Sequence, residues 1–200
     1  MTLGGVAMIF RSHIRNAVII AASGMAVFLA ILAFQQVLRI DGNFHTVVDG
    51  QFYRSSQLSP AALERYIREY GIRTVVNLRG AAPAAKWYRD EKAVTASLGV
   101  GMIDFGMSAS QRLTSARAAQ LVAELRDAPK PILVHCLDGA DRTGLVSVIY
   151  ASQVAGMDEE TAEGQLTPLY GHFGIPLLSP TFAMDMSWED LEPFFGITGS

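Results

Sequence analysis

The chain opens on a block of apolar residues and then changes character. From Asn16 to Leu38, 23 residues pass without a charge, around the run AVIIAASGMAVFLAILAF. About 20 helical residues cross a hydrocarbon core, so this block is long enough to span a bilayer. A core helix would carry a polar stripe, and only Ser23 and Gly24 interrupt this run. A signal peptide has a shorter apolar region of roughly 7 to 15 residues, although Ala33 could serve as a cleavage position. We therefore expect a tail over 1–15 and a transmembrane anchor over 16–38, with a signal-like segment as the alternative. Arg11 and Arg15 precede the block and Arg39 follows it. By the positive-inside rule the N-terminus is cytoplasmic and the remainder is outside, or periplasmic in a bacterium.

Beyond the block, short β-branched runs alternate with amphipathic stretches. Phe44 to Tyr53 reads as two short strands turning at Asp49-Gly50. Ser59-Pro60 is an N-cap followed by a first-position proline, and opens a helix that stops near Gly71. Arg73–Leu78 and Val100–Phe105 read as strands, and Ala84–Leu98 and Ala116–Asp127 as helices. Pro131–His135 is a continuous apolar strand of the kind buried in a parallel sheet, with a helix over Gly144–Ala155. Asp158–Leu166 and Trp188–Phe195 supply further helical pieces. The alternation predicts a single α/β domain over 43–200, with a mostly parallel central sheet flanked by helices.

Composition narrows the chemistry. Half of the residues are hydrophobic, 18% are charged and the net charge is −3, which excludes a disordered chain. Of 16 Lys and Arg, three (Arg11, Arg15 and Arg39) precede Asp41, leaving 13 against all 19 Asp and Glu, a net of −6. Such a domain lacks the basic footprint of a nucleic-acid binder. One cysteine excludes a disulfide framework, and without CxxC or Cys/His clusters no metal ligand set is expected.

That cysteine lies at the carboxyl end of a central strand and before a helix, where α/β sheets place ligands. The string is His135-Cys136-Leu137-Asp138-Gly139-Ala140-Asp141-Arg142-Thr143-Gly144. Gly139 lets the loop curl so that successive N–H groups form a nest for phosphate oxygens, and the helix start adds its positive end. Arg142 can fork two donors onto two phosphoryl oxygens. The same donors favour a thiolate at Cys136, and Thr143 can donate a hydrogen bond to it. A lone cysteine is often only a buried small hydrophobe, but here every neighbour has a role in one chemistry. A Walker-type nucleotide loop is excluded, because GADRTG lacks a GK[ST] ending.

HCLDGADRTG resembles the signature loop HCxxGxxR[ST]G of the cysteine-based protein tyrosine phosphatase superfamily, in particular its small bacterial dual-specificity-like members. FYRSSQLSPAALERYIREYGIRTVVNLRG resembles the segment that opens their catalytic domain, and the likeness covers roughly Asn43 to Ala155. The resemblance implies metal-independent, cofactor-free phosphomonoester hydrolysis in two steps through a phosphocysteine. Cys136 would be the nucleophile. The backbone amides of Leu137, Asp138, Gly139, Ala140, Asp141 and Arg142, with the Arg142 side chain, would hold the three equatorial oxygens. The superfamily takes its leaving-group proton from an aspartate on a neighbouring loop, which points to Asp104. CLDGADRT is also similar to the CSDGWDRT loop of myotubularin lipid phosphatases, which points to Asp141. The plainer readings are a solvated strand-end carboxylate and a loop-shaping N-cap.

His135 is expected to order the loop, and Arg54-Ser55-Ser56-Gln57 to pack near it. Arg79 is a candidate substrate contact, with a surface salt bridge as the alternative. His172-Phe173 and Trp188 read as late core or helix contacts. The expected substrate is a phosphoprotein, with lipid or inositol phosphates as the alternative. Two other classes stay open: a rhodanese-like sulfur transferase, whose loop is usually shorter, and a non-catalytic phosphate-binding pseudophosphatase.

Overall fold

A computed structural model of the chain describes residues 3–197. Two compact units divide between Val37 and Leu38. The first is helical throughout its described residues, as part of α1 (Leu3–Asp41). Within α1, Arg15–Asp41 is 27 residues long, about 40 Å at 1.5 Å per residue. Its large apolar side chains, including Val18, Ile20, Val27 and Phe28, are exposed, so it is not the core helix of a globular domain. Length and composition suit a membrane crossing, a test that a signal sequence near an N-terminus also passes. The helix ends where Gly42 takes φ +89°.

The second unit holds a five-stranded sheet in the order β1-β2-β5-β3-β4. Its strands are β1 (His45–Val48), β2 (Phe52–Ser55), β3 (Thr74–Asn77), β4 (Gly101–Asp104) and β5 (Ile132–His135). Only β1 pairs antiparallel, so the sheet is mostly parallel, as the alternation predicts. Period-two alternation sorts the strands onto two cores. Phe52, Val76, Ile132 and Val134 face one core, and Tyr53, Val75 and Leu133 face the other.

Helices α2 (Pro60–Tyr70) and α3 (Lys86–Ser97) cover the smaller core. Helices α4 (Ser115–Asp127), α5 (Asp141–Gln153), α6 (Glu159–Glu163) and α7 (Ala183–Leu191) cover the larger. Ser59 caps α2 as expected, its side chain accepting from Ala62 N. Helix α5 is the central one, buried without interruption from Thr143 to Ala151. Gly144 allows this: a Cβ there would come within 2.7 Å of Leu166 Cδ1. The sequence places the start of α5 at Gly144, but the helix begins at Asp141, so its first turn belongs to the signature string. Helix α7 likewise precedes the predicted Trp188–Phe195, starting at Ala183 and ending at Leu191.

Candidate active site

Strand register sets the frame of the site. Ser55, His135, Asn77 and Asp104 pair in a row at the carboxyl ends of β2, β5, β3 and β4. The chain leaves β5 through Cys136–Ala140 and enters α5 at Asp141. Cys136 is 2% exposed, at the floor of this loop. Gly139 takes φ +72°, and a Cβ there would lie 2.6 Å from Ser56 N and 2.7 Å from Ser55 O. Only glycine fits this close pass over β2.

Arg54 holds the loop from below. Fully buried, it donates through Nη2 to Gly139 O (2.8 Å) and through Nη1 to Gln165 O (2.5 Å) and Gln165 Oε1 (3.2 Å). Its guanidinium lies 4.0 Å from the centre of the Tyr170 ring. A peptide's C=O and N–H point in opposite directions, so tying Gly139 O downward turns the next amide, that of Ala140, the other way. Burial lowers Arg54 to about 10, against the opposing pull of Tyr170 and Cys136, so it stays cationic at neutral pH.

Arg142 points Nη1 at the carbonyls of Leu78 and Met107, both at 3.4 Å, while its buried Nε has no partner. Thr143 Oγ1 is also buried and unpartnered, and so available to the thiol or to a phosphoryl oxygen. The two segments approached by Arg142 cross at Gly80 and Gly106, where a Cβ on Gly80 would sit 3.0 Å from Gly106 Cα.

On the α3 side, His135 bridges Cys136 O (Nδ1, 3.2 Å) and Glu91 Oε1 (Nε2, 2.6 Å). Gln57 Nε2 donates to Glu91 Oε2 (2.9 Å), and Arg79 Nη1 donates to Gln57 Oε1 (2.8 Å). Arg79 also stacks on Trp87, 3.5 Å from the ring centre, so a fixed cation stands beside the loop in place of a surface salt bridge. Burial opposes the charge on Glu91, but hydrogen bonds from His135 and Gln57 and the nearby cations prevail and hold it below its ordinary range. Glu91 escapes sequence reading as a functional residue. Its one local signal is a charge three residues after Tyr88, on the buried stripe of α3.

The two aspartates differ in surroundings. Asp104 accepts from Asn77 Nδ2 (2.8 Å) and from Tyr88 OH (2.5 Å), one donor to each oxygen. The hydrogen bond to Asp104 is the main cause that pushes the Tyr88 hydroxyl up to about 12. Asp141 opens α5 directly after the loop, with His172 Nδ1 at 2.7 Å from Oδ1 and a side chain 21% exposed. Asp138 is at the rim, 3.5 Å from Arg39, and Leu137 O accepts from Gln57 N at 3.1 Å. His172 is buried as expected, yet it spans Asp141 and Asp185 and is no plain core contact. Trp188 is in the core. Among the described residues, one acidic group could share a cation, Glu159, Glu163 and Glu192, and it includes no loop residue.

This fold, with a buried thiol under a glycine-turned loop and a guanidinium in the first helical turn beyond it, defines a cysteine-based phosphatase. A family model described as "Tyrosine phosphatase family" matches residues 39–163, and the chain belongs to that family. Solved structures share the fold at low identity. TpbA of P. aeruginosa is 20% identical, with 78% of this chain and 92% of that chain covered and a TM-score of 0.57. Tk-PTP in its active form is 16% identical, covering 74% and 97%, at 0.52. The catalytic domain of Siw14 from S. cerevisiae, a PP-IP phosphatase, is 18% identical, covering 78% and 94%, at 0.55. No curated protein sequence matches the chain significantly.

Proposed function

We propose that the chain hydrolyses phosphomonoesters through a phosphocysteine on Cys136, without metal or cofactor. The observation that carries this reading is the loop itself. A buried thiol, an unpartnered Thr143 hydroxyl and an Arg142 Nε without a partner stand together at one helix N-terminus. Amides of Leu137 to Arg142 and the Arg142 fork would bind the three equatorial oxygens, where transition-state charge resides. Sulfur attacks phosphorus in line, and the leaving oxygen departs with a proton.

We assign that proton to Asp141. Asp104 has both oxygens committed to Asn77 and Tyr88, an arrangement that ties β4 to β3 and α3. Asp141 is partly exposed in the first turn of α5. TpbA has been solved with phosphotyrosine, and by analogy the substrate here is a phosphoprotein; Siw14, a PP-IP phosphatase, supports the inositol phosphate alternative. A substrate bearing a second anionic group is the alternative, favoured by Arg79 fixed between Gln57 and Trp87. The catalytic domain would run over 43–200, tethered by the N-terminal helix with the N-terminus inside and the domain outside or periplasmic.

The test is turnover of p-nitrophenyl phosphate by the full chain in detergent. Activity should persist in EDTA and be inhibited by vanadate, and Cys136→Ser should lower it by at least about 10³-fold, since the nucleophile is lost. Retained turnover in Cys136→Ser would reject the mechanism. Transfer of sulfur from thiosulfate to cyanide would instead select the rhodanese-like class.

A further inference from the structure

We propose that His172 is a positioning residue for the proton donor: it fixes Asp141 at the start of α5 and stabilises the carboxylate that proton delivery leaves behind. The inference rests on the assignment of the donor to Asp141. His172 is 2% exposed and gripped on both nitrogens, by Asp141 Oδ1 at 2.7 Å and Asp185 Oδ2 at 2.9 Å. Asp141 Oδ1 accepts whether or not the other oxygen carries the proton, and the Asp185 carboxylate accepts only, so both ring nitrogens donate and the ring is an imidazolium. Burial pulls His172 down, but hydrogen bonds and charge from Asp141 and Asp185 outweigh it and raise it to about 9.

The surrounding chain is built to hold this cation. Gly171 takes φ +88°, and a Cβ on Gly174 would overlap the Asp185 carboxylate. Asn43 Nδ2 joins Asp138 O (3.0 Å) to Tyr170 O (2.9 Å), so the segment is fastened to the loop at Asp138 as well as at Asp141. His172 and Asp185 both lie beyond the residues matched by the family.

Two carboxylates on one imidazolium suit a cycle in which one of them changes its proton. In the first step the S–P bond forms and the ester P–O bond breaks. The Asp141 proton passes to the leaving oxygen, and the new carboxylate faces a cation already in place. In the second step water attacks phosphorus, the S–P electron pair returns to sulfur, and a water proton restores Asp141. Asp185 keeps His172 charged while Asp141 is protonated. The other charges near this pair are Arg142 beside Asp141, Arg54 and Cys136 under the loop, and Glu160, Glu163 and Glu189, which line one cavity with Asp185.

The experiment is the pH–rate profile of the full chain on an alkyl phosphate, a poor leaving group, for wild type, Asp141→Asn, His172→Gln and Asp185→Asn. Asp141→Asn should flatten the basic limb of kcat; if the limb persists, the donor assignment fails. Given that flattening, His172→Gln should move the limb to higher pH, because the cation that faces the carboxylate left by proton delivery is gone. It should also lower kcat about tenfold with KM unchanged, a part of the ~10²–10⁴ an acid supplies. Asp185→Asn should shift the limb the same way by less, and serves if His172→Gln does not fold. A limb unmoved in both would overturn the inference while leaving the donor assignment standing. So would an NMR titration showing the His172 ring neutral at pH 7 in the wild type.

Discussion

The signature loop is held from two sides, and the two holds are built differently. On the α3 side, Glu91 and His135 form a pair with side chains each 3% exposed, linked through Gln57 to Arg79. On the α7 side, His172 is equally buried, but its carboxylates are 21% and 29% exposed. The first hold fixes the floor, because His135 touches Cys136 O. The second fixes Asp141. A sealed pair suits a group that must not change its protonation, whereas partly open carboxylates suit groups that exchange protons with substrate and water.

The largest effect should come from breaking what both sides hold. Gly139→Ala places a Cβ 2.6 Å from Ser56 N at a positive φ, so the loop must leave β2. We expect activity to fall by at least about 10²-fold, as positional errors near 1 Å do, and thermal stability to drop with it. Turnover near wild type would show that the loop tolerates displacement. Next is the sealed pair. Glu91→Ala leaves the buried Nε2 of His135 unpartnered and should cost about 3–5 kcal/mol in denaturant unfolding. Asp185→Asn should cost clearly less, because its side chain reaches solvent.

The two holds should also fail at opposite ends of the pH scale. Glu91 is depressed in the folded chain, so its stabilisation is present above its ordinary 4.5 and lost as pH falls through the folded value. His172 is raised from 6.5 to about 9, so its stabilisation is complete below 6.5 and lost as pH rises through about 9. Melting temperatures of wild type and His172→Gln should therefore converge between those two values on the alkaline side. A constant gap from pH 6 to 10 would contradict the imidazolium.

These holds explain which parts were legible from the amino-acid string. The loop from His135 to Gly144 was readable because its parts are consecutive and strand, turn and helix agree with the chemistry. The parallel sheet was readable from continuous apolar runs such as Pro131–His135. The Asp141–His172–Asp185 contact was not, since its members are 31 and 13 residues apart and meet only when α7 packs on α5. The start of α5 was legible from the string, which marks a helix start near Arg142, but not from the apolar pattern, which shows only from Gly144; the helix begins at Asp141. Tyr88 and Asn77, which occupy Asp104, carry no signal of that role until strand register brings Asn77 opposite Asp104.

The smallest effect concerns the Asp138 side chain at the rim, which neither hold touches. Asp138 and Arg39 are 3.5 Å apart with side chains 45% and 44% exposed, so the pair contributes about 0–1 kcal/mol to stability. Its consequence is electrostatic. Asp138→Asn removes a negative charge from the mouth of an anion site and frees Arg39, so KM for a phosphate ester should fall by about two- to fivefold at low salt. Added salt should erase the gain, because these charges are exposed and a Debye length is only about 8 Å at 0.15 M. The melting temperature should not move measurably. A KM gain that survives high salt would instead mean that Asp138 shapes the loop through its backbone, where Asn43 already holds its carbonyl.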